Sequence, residues 1–185
     1  LSAIQAGALT AAQMNSLDLD TLDGLGSEEI GALKPAVLNG MKTSALAALD
    51  TVQITYLTTL QAAALGTSQL AAFGTMGLAA METSDIAVLP APVIGKLDSA
   101  QLQALPDASL RALTTWQIIA LTTAQLAGLT SNQIAALSSR QMAARRATQG
   151  AALPGSPADF LGTAALAGLK PAMLAALNSA ELAAF

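Results

Sequence analysis

An all-α solenoid is the fold this sequence predicts: a superhelix of 23 in-frame octapeptide repeats, each a very short helix plus a turn. Three observations carry that expectation. An apolar residue recurs at every eighth position. A second apolar residue recurs five places after the first. All seven prolines fall in one half of the eight-residue unit.

The first position sets the frame. Stepping by eight from Leu1 meets Leu, Met or Phe at every step to Phe185, apart from Arg145. Twenty-three octads and one opening residue account for all 185 residues with no insertion. Self-similarity at a fixed period is the mark of a repeat architecture. The sixth position is nearly as regular, with Leu, Ile or Met throughout except Ala6, Ala62, Gly150 and Ala158. A sixth residue and the next first residue are three apart, so they share one helical face. The eighth position is Ala, Gly or Ser in 19 of 23 octads, which lets neighbouring coils approach closely.

The remaining positions specify how each helix begins. The third position is Ser or Thr in 14 of 23 octads, and the fifth is Gln in 11 of 23. A hydroxyl followed three residues later by Gln or Glu is the layout of a capping box. Thr114 with Gln117, Thr122 with Gln125, and Ser138 with Gln141 have that spacing. The glutamine column is read as caps or as amide ladders between coils. Proline is tolerated at a turn or in the first turn of a helix and not in its interior. Pro35, Pro90, Pro92, Pro106, Pro154, Pro157 and Pro171 all stand at positions two to five. The backbone is therefore expected to break once per octad, near positions two and three.

Two rival folds fail. In one continuous helix, eight residues advance about 800°, a drift of roughly 80° per octad, so the leucine stripe would smear around the axis. A β-helix wants alternation and β-branched residues, whereas this chain is built of Leu and Ala. A helix of one and a half turns is unstable alone. It persists by burying its anchors against neighbouring octads, as repeat arrays do. The expected core in the most regular stretch is Leu113, Ile118, Leu121, Leu126, Leu129, Ile134 and Leu137. One domain over residues 1–185 is expected, with a degenerate and distorted segment at 145–160, where an Arg145/Arg146 pair with Asp159 is a candidate partner spot.

Composition narrows the function. With no Cys and no His, no thiolate nucleophile, imidazole base or Cys/His zinc site is possible. No base is positioned by the sequence, so an enzyme is not expected, nor a cofactor. The net charge is −4 and the eight basic residues are scattered, so no nucleic-acid-binding face is expected. Polar residues interrupt every window of about 18 residues, so no membrane span is expected. Residues 17–32 carry Asp18, Asp20, Asp23, Glu28 and Glu29. They are read as a solvated face, with Asp18, Asp20 and Asp23 as weak calcium candidates, because Leu22 stands where an EF-hand ligand would be. Trp116, at position four, is expected to be partly exposed and packed on the next coil, with a carbohydrate or partner contact as the alternative. LKPAVLNG from Leu33 and LKPAMLAA from Leu169 are alike across 17 octads.

The stretch 113–144, LTTWQIIA, LTTAQLAG, LTSNQIAA and LSSRQMAA, resembles the LTTxQ(I/L)xAL octapeptide arrays of very large bacterial surface and secreted proteins of the giant exoprotein or adhesin type. The frame extends that likeness along the chain. The resemblance implies an extracellular or cell-surface stalk, fibre or layer. Leu1 and Phe185 are ordinary anchors and the chain opens without Met or a signal-peptide pattern. A piece of a longer or processed protein is expected, whose apolar ends continue the array or self-associate. A solenoid whose surface binds a protein or glycan is the second expectation.

Overall fold

The computed structural model describes residues 1–144; the segment 145–160, the Arg145, Arg146 and Asp159 spot and the second LKPA octad lie outside the described residues. The chain divides into two compact units, residues 1–93 and 94–185. The described residues are all-helical, without strands. In the first unit run α1 (Ala3–Ala8), α2 (Ala11–Met14), α3 (Leu19–Asp23), α4 (Ser27–Ala32), α5 (Pro35–Asn39), α6 (Thr43–Leu46), α7 (Thr51–Thr55), α8 (Thr59–Ala64), α9 (Thr67–Ala72), α10 (Gly74–Ala80) and α11 (Thr83–Val88). α12 (Ala91–Ile94) falls at the division. α13 (Ser99–Ala104), α14 (Asp107–Ala112), α15 (Thr115–Ala120), α16 (Thr123–Ala127), α17 (Ser131–Ala136) and α18 (Ser139–Ala144) belong to the second unit. Each helix occupies its own octad, and none is long and apolar enough to cross a membrane.

The break between helices lies one residue earlier than the proline pattern suggests. In α15 the second position, Thr114, is the extended N-cap at φ −71° and ψ 160°, and the next first position, Leu121, is the extended C-cap at φ −65° and ψ 141°. Two consecutive extended residues, at positions one and two, turn the chain, and the third position is already helical. Pro35 opens α5 and Pro106 caps α14, sites where a missing N–H costs nothing. The junction of α9 and α10 departs from this scheme. There Phe73 is helical, at φ −67° and ψ −14°, and the chain turns instead through Gly74 at φ +60°, a left-handed conformation suited to glycine.

Such short helices hold together by stacking. In the first unit α1 packs on α4, α2 on α5, α5 on α8, α6 on α9, α7 on α10 and α8 on α11. In the second, α13 packs on α16, α14 on α17 and α15 on α18. Side chains meet backbone carbonyls 25 to 31 residues away. One circuit of the chain thus takes between three and four octads. The first and sixth positions fill the interior: Leu113 is 3% exposed, Leu126 0% and Leu137 8%, with Ile118, Leu121, Leu129 and Ile134 between those limits.

Candidate functional site: the glutamine column and its acidic break

From Val37 to Gln141 the fifth position is buried as well, Gln69 apart, and this the spacing of apolar residues did not reveal. Gln53, Gln61, Gln117, Gln125, Gln133 and Gln141 are interior residues. A buried amide must have its hydrogen bonds made, and these are made in two directions. Within its own octad, Gln141 Oε1 accepts from the Ser138 backbone N–H at 2.8 Å, while Ser138 Oγ accepts from the Gln141 N–H at 3.3 Å. Thr114 with Gln117 and Thr122 with Gln125 form the same reciprocal box.

The other end of the amide reaches the previous circuit. Gln141 Nε2 donates to the carbonyls of Leu110 and Leu113, both at 2.8 Å. Gln133 Nε2 reaches Leu102 and Leu105, each at 3.0 Å. Gln61 reaches Ile30 and Leu33 at 2.7 Å, and Gln53 reaches Leu22 and Leu25 at 2.7 and 3.0 Å. These acceptors stand 31 and 28 residues earlier, at or just past the C-terminal end of a helix, and the same Nε2 also comes within 3.1 to 3.4 Å of the carbonyl 30 residues earlier. The carbonyl 31 back accepts a backbone N–H as well, as Leu102 O does from Leu105 at 3.2 Å. The two amide protons match two carbonyls and the amide oxygen takes the cap N–H. One side chain therefore caps the start of its own helix and the end of another. These are amide-to-backbone bonds and not a ladder of amide on amide.

A lighter seam runs along position seven. Asn15 Nδ2 donates to Gly40 O at 3.1 Å and Arg111 Nε to Ala136 O at 3.3 Å, each 25 residues ahead. The seventh position of Gly95 faces the corresponding carbonyl so closely that a Cβ there would lie 2.6 Å from Ala120 O. Position seven thus serves contact between circuits at these octads, while positions two and four are left to solvent. Trp116 is 74% exposed, so its ring lies on the surface and does not pack on the next coil. Nearby, Arg111, Thr114, Thr115, Ser138 and Arg140 line an open depression of about 360 Å³.

The acidic stretch is local in its bonding. Asp18 is the N-cap of α3, its Oδ1 accepting from the Thr21 N–H at 2.8 Å. Thr21, through its side chain first and its backbone N–H second, holds the Asp18 carboxyl below its ordinary range. Asp20 and Asp23 lie exposed on α3. No group of three or more acidic side chains that could hold a metal occurs among the described residues.

One fifth-position residue is at odds with the column. Asp85 is 1% exposed, the only buried ionisable side chain among the described residues, and its Oδ2 has no hydrogen-bond partner. Burial, with a smaller push from the Glu82 carboxylate, raises its carboxyl to about 6. Glu29, one methylene longer at the same position, accepts from the Gly26 N–H at 3.1 Å and is only half-buried. The signal for Asp85 was present in the sequence as an acid in a glutamine column, but its burial depends on the circuit beneath.

No curated protein matches the chain. Two overlapping stretches, residues 94–131 and 118–144, match the ALTTAQ repeat.

Proposed function

We propose that the chain is a non-enzymatic structural module: a solenoid of 23 octads in one frame, acting as a stalk, fibre or filament segment at the surface or outside of a bacterial cell. End-to-end association, or continuation of the same array, follows from repeats whose bonding partners are other repeats. The observation that carries this reading is the glutamine column. Among the described residues its amides are the most numerous buried polar side chains, and those of Gln53, Gln61, Gln133 and Gln141 are committed at both ends to backbone groups, which is scaffold chemistry. The match of residues 94–144 to the ALTTAQ repeat supports a repeat module, and the likeness to LTTxQ arrays supports the surface setting. The frame also passes the division at residues 93 and 94 without a slip.

Fusing two copies of the 185-residue chain in octad frame tests this. Electron microscopy should show a rod about twice as long as that of the single chain, and a fused pair that collapses without lengthening would overturn the proposal. A second reading, a surface that binds a protein or glycan, is favoured by the exposed Trp116, which follows in sequence Thr115 of the depression lined by Arg111 and Arg140. Quenching of the single tryptophan on glycan addition would support it, and an unchanged spectrum across a glycan panel would count against it.

A further inference from the structure

We infer that Asp85 is a proton-operated clasp between α11 and the circuit beneath it. With a proton, its carboxyl donates to a backbone carbonyl as the column's amides do; without one, it faces acceptors only and that seam opens.

The register supplies the geometry. Every interior glutamine with a complete set of bonds donates to the carbonyls 31 and 28 residues earlier. For Asp85 those positions are Ile54, at the end of α7, and Leu57, before α8. α11 packs directly on α8. Asp85 occupies the amide's place with a side chain one methylene shorter, and its Oδ2 is buried and without a partner. A carboxylate is acceptor-only, whereas a carboxylic acid carries one donor. A lone proton is thus the smallest change that gives this site a donor like those of the column's glutamines.

The charged surroundings offer no substitute. On its own helix the nearest ionisable group is Glu82, whose like charge opposes ionisation. α8 carries no ionisable side chain from Thr59 to Ala64, nor does α10 from Gly74 to Ala80. Tyr56, half-buried between α7 and α8, and Asp50, the exposed N-cap of α7, complete the titratable groups of the packed elements. No cation stands among them. The carboxyl raised to about 6 agrees with this arrangement. Because the folded-state value lies above that of an unfolded Asp, about 3.9, the native chain holds a proton that the unfolded chain has released. Stability is therefore present at acid pH and is lost as pH rises toward and through about 6.

Hydrogen exchange read by mass spectrometry on the intact chain tests the clasp. Corrected for intrinsic rates, the opening equilibrium of segments 51–64 and 83–88 should change about tenfold per pH unit between roughly pH 4 and 6, then level off. Asp85→Gln should abolish that dependence and be more protected than the parent at pH 7.5. Protection that is flat with pH in the parent, or equally sloped in Asp85→Gln, would overturn the inference. Should Asp85→Gln not fold, the Asp85 carboxyl-carbon resonance of the parent decides. A midpoint near 6 sustains the clasp, and one at the ordinary Asp value sinks it.

Discussion

Replacing Gln133 by Glu separates the two halves of the column's chemistry. Glutamate has the same length and keeps an acceptor for the Thr130 N–H, which Gln133 Oε1 binds at 3.1 Å. It has no donor for Leu102 and Leu105, to which Nε2 now donates at 3.0 Å each. The site is 3% exposed, so water does not take over either carbonyl. Leu102 O still accepts from the Leu105 N–H at 3.2 Å, so the carbonyl that loses its donor is that of Leu105, and leaving it unpaired costs about 1–3 kcal/mol. A buried carboxylate facing carbonyls adds to that unless it takes up a proton. Gln5→Glu is the control. Gln5 is exposed and makes the capping half, its Oε1 accepting from the Ser2 N–H at 2.9 Å. Glutamate near a helix N-terminus is mildly favourable, so that change should stay within about 0.5 kcal/mol. Urea unfolding followed by helical circular dichroism at pH 7 compares the two. As pH falls toward 4, Gln133→Glu should recover some of its loss, since its neutral acid regains a donor. If the two variants unfold at the same urea concentration, the reaching half of the column contributes nothing and the double-capping argument is wrong.

Two further substitutions probe the frame. Leu121→Asp places a charge at a site 2% exposed and should cost at least about 3 kcal/mol, whereas Ala124→Asp, on the exposed fourth position, should stay within about 0.5 kcal/mol. Thermal unfolding that treats them alike would refute the octad assignment. Gly95→Ala puts a methyl group 2.6 Å from Ala120 O and must push neighbouring circuits apart, at about 1–3 kcal/mol. Gly24→Ala, whose nearest such atom is Asp20 O at 3.5 Å, should be near neutral by the same measurement.

What could be read from the chain was what lies within one octad. The anchors at positions one and six, and the boxes of Thr114 with Gln117 or Ser138 with Gln141, depend on residues three apart, so their spacing is visible in sequence. The one-residue displacement of the break arises because proline tolerates the N-cap and N1 alike, as Pro106 and Pro35 do, so proline alone does not separate positions two and three. The burial of position five was invisible for another reason. Glutamine is a surface residue by composition, and it goes inside here only because carbonyls 28 and 31 residues earlier receive it. Trp116 shows the converse: a large aromatic suggests packing, but the fourth position faces away from the neighbouring circuit.

The same bonds give a physical reason for a frame without insertions. A glutamine in this column counts residues twice, three back to its own cap and 28 and 31 back to the preceding circuit. The first count tolerates an insertion anywhere outside the octad. The second does not: one extra residue within the intervening circuit moves every acceptor one place along and turns the expected carbonyl away. An extra eight residues has no such effect, because the residue now 28 positions back is again a first position and the residue 31 back is again a sixth. Whole octads can therefore be gained or lost while both caps survive, whereas any other length change breaks a seam across a circuit. Leu at position one, a hydroxyl at two and Gln at five need not be identical in every octad, as Val37, Ala45 and Val93 in the buried fifth position show. Apolar side chains there ask nothing of the carbonyls and tolerate substitution. The length of the unit is the one property that each interior glutamine constrains through two backbone positions at once.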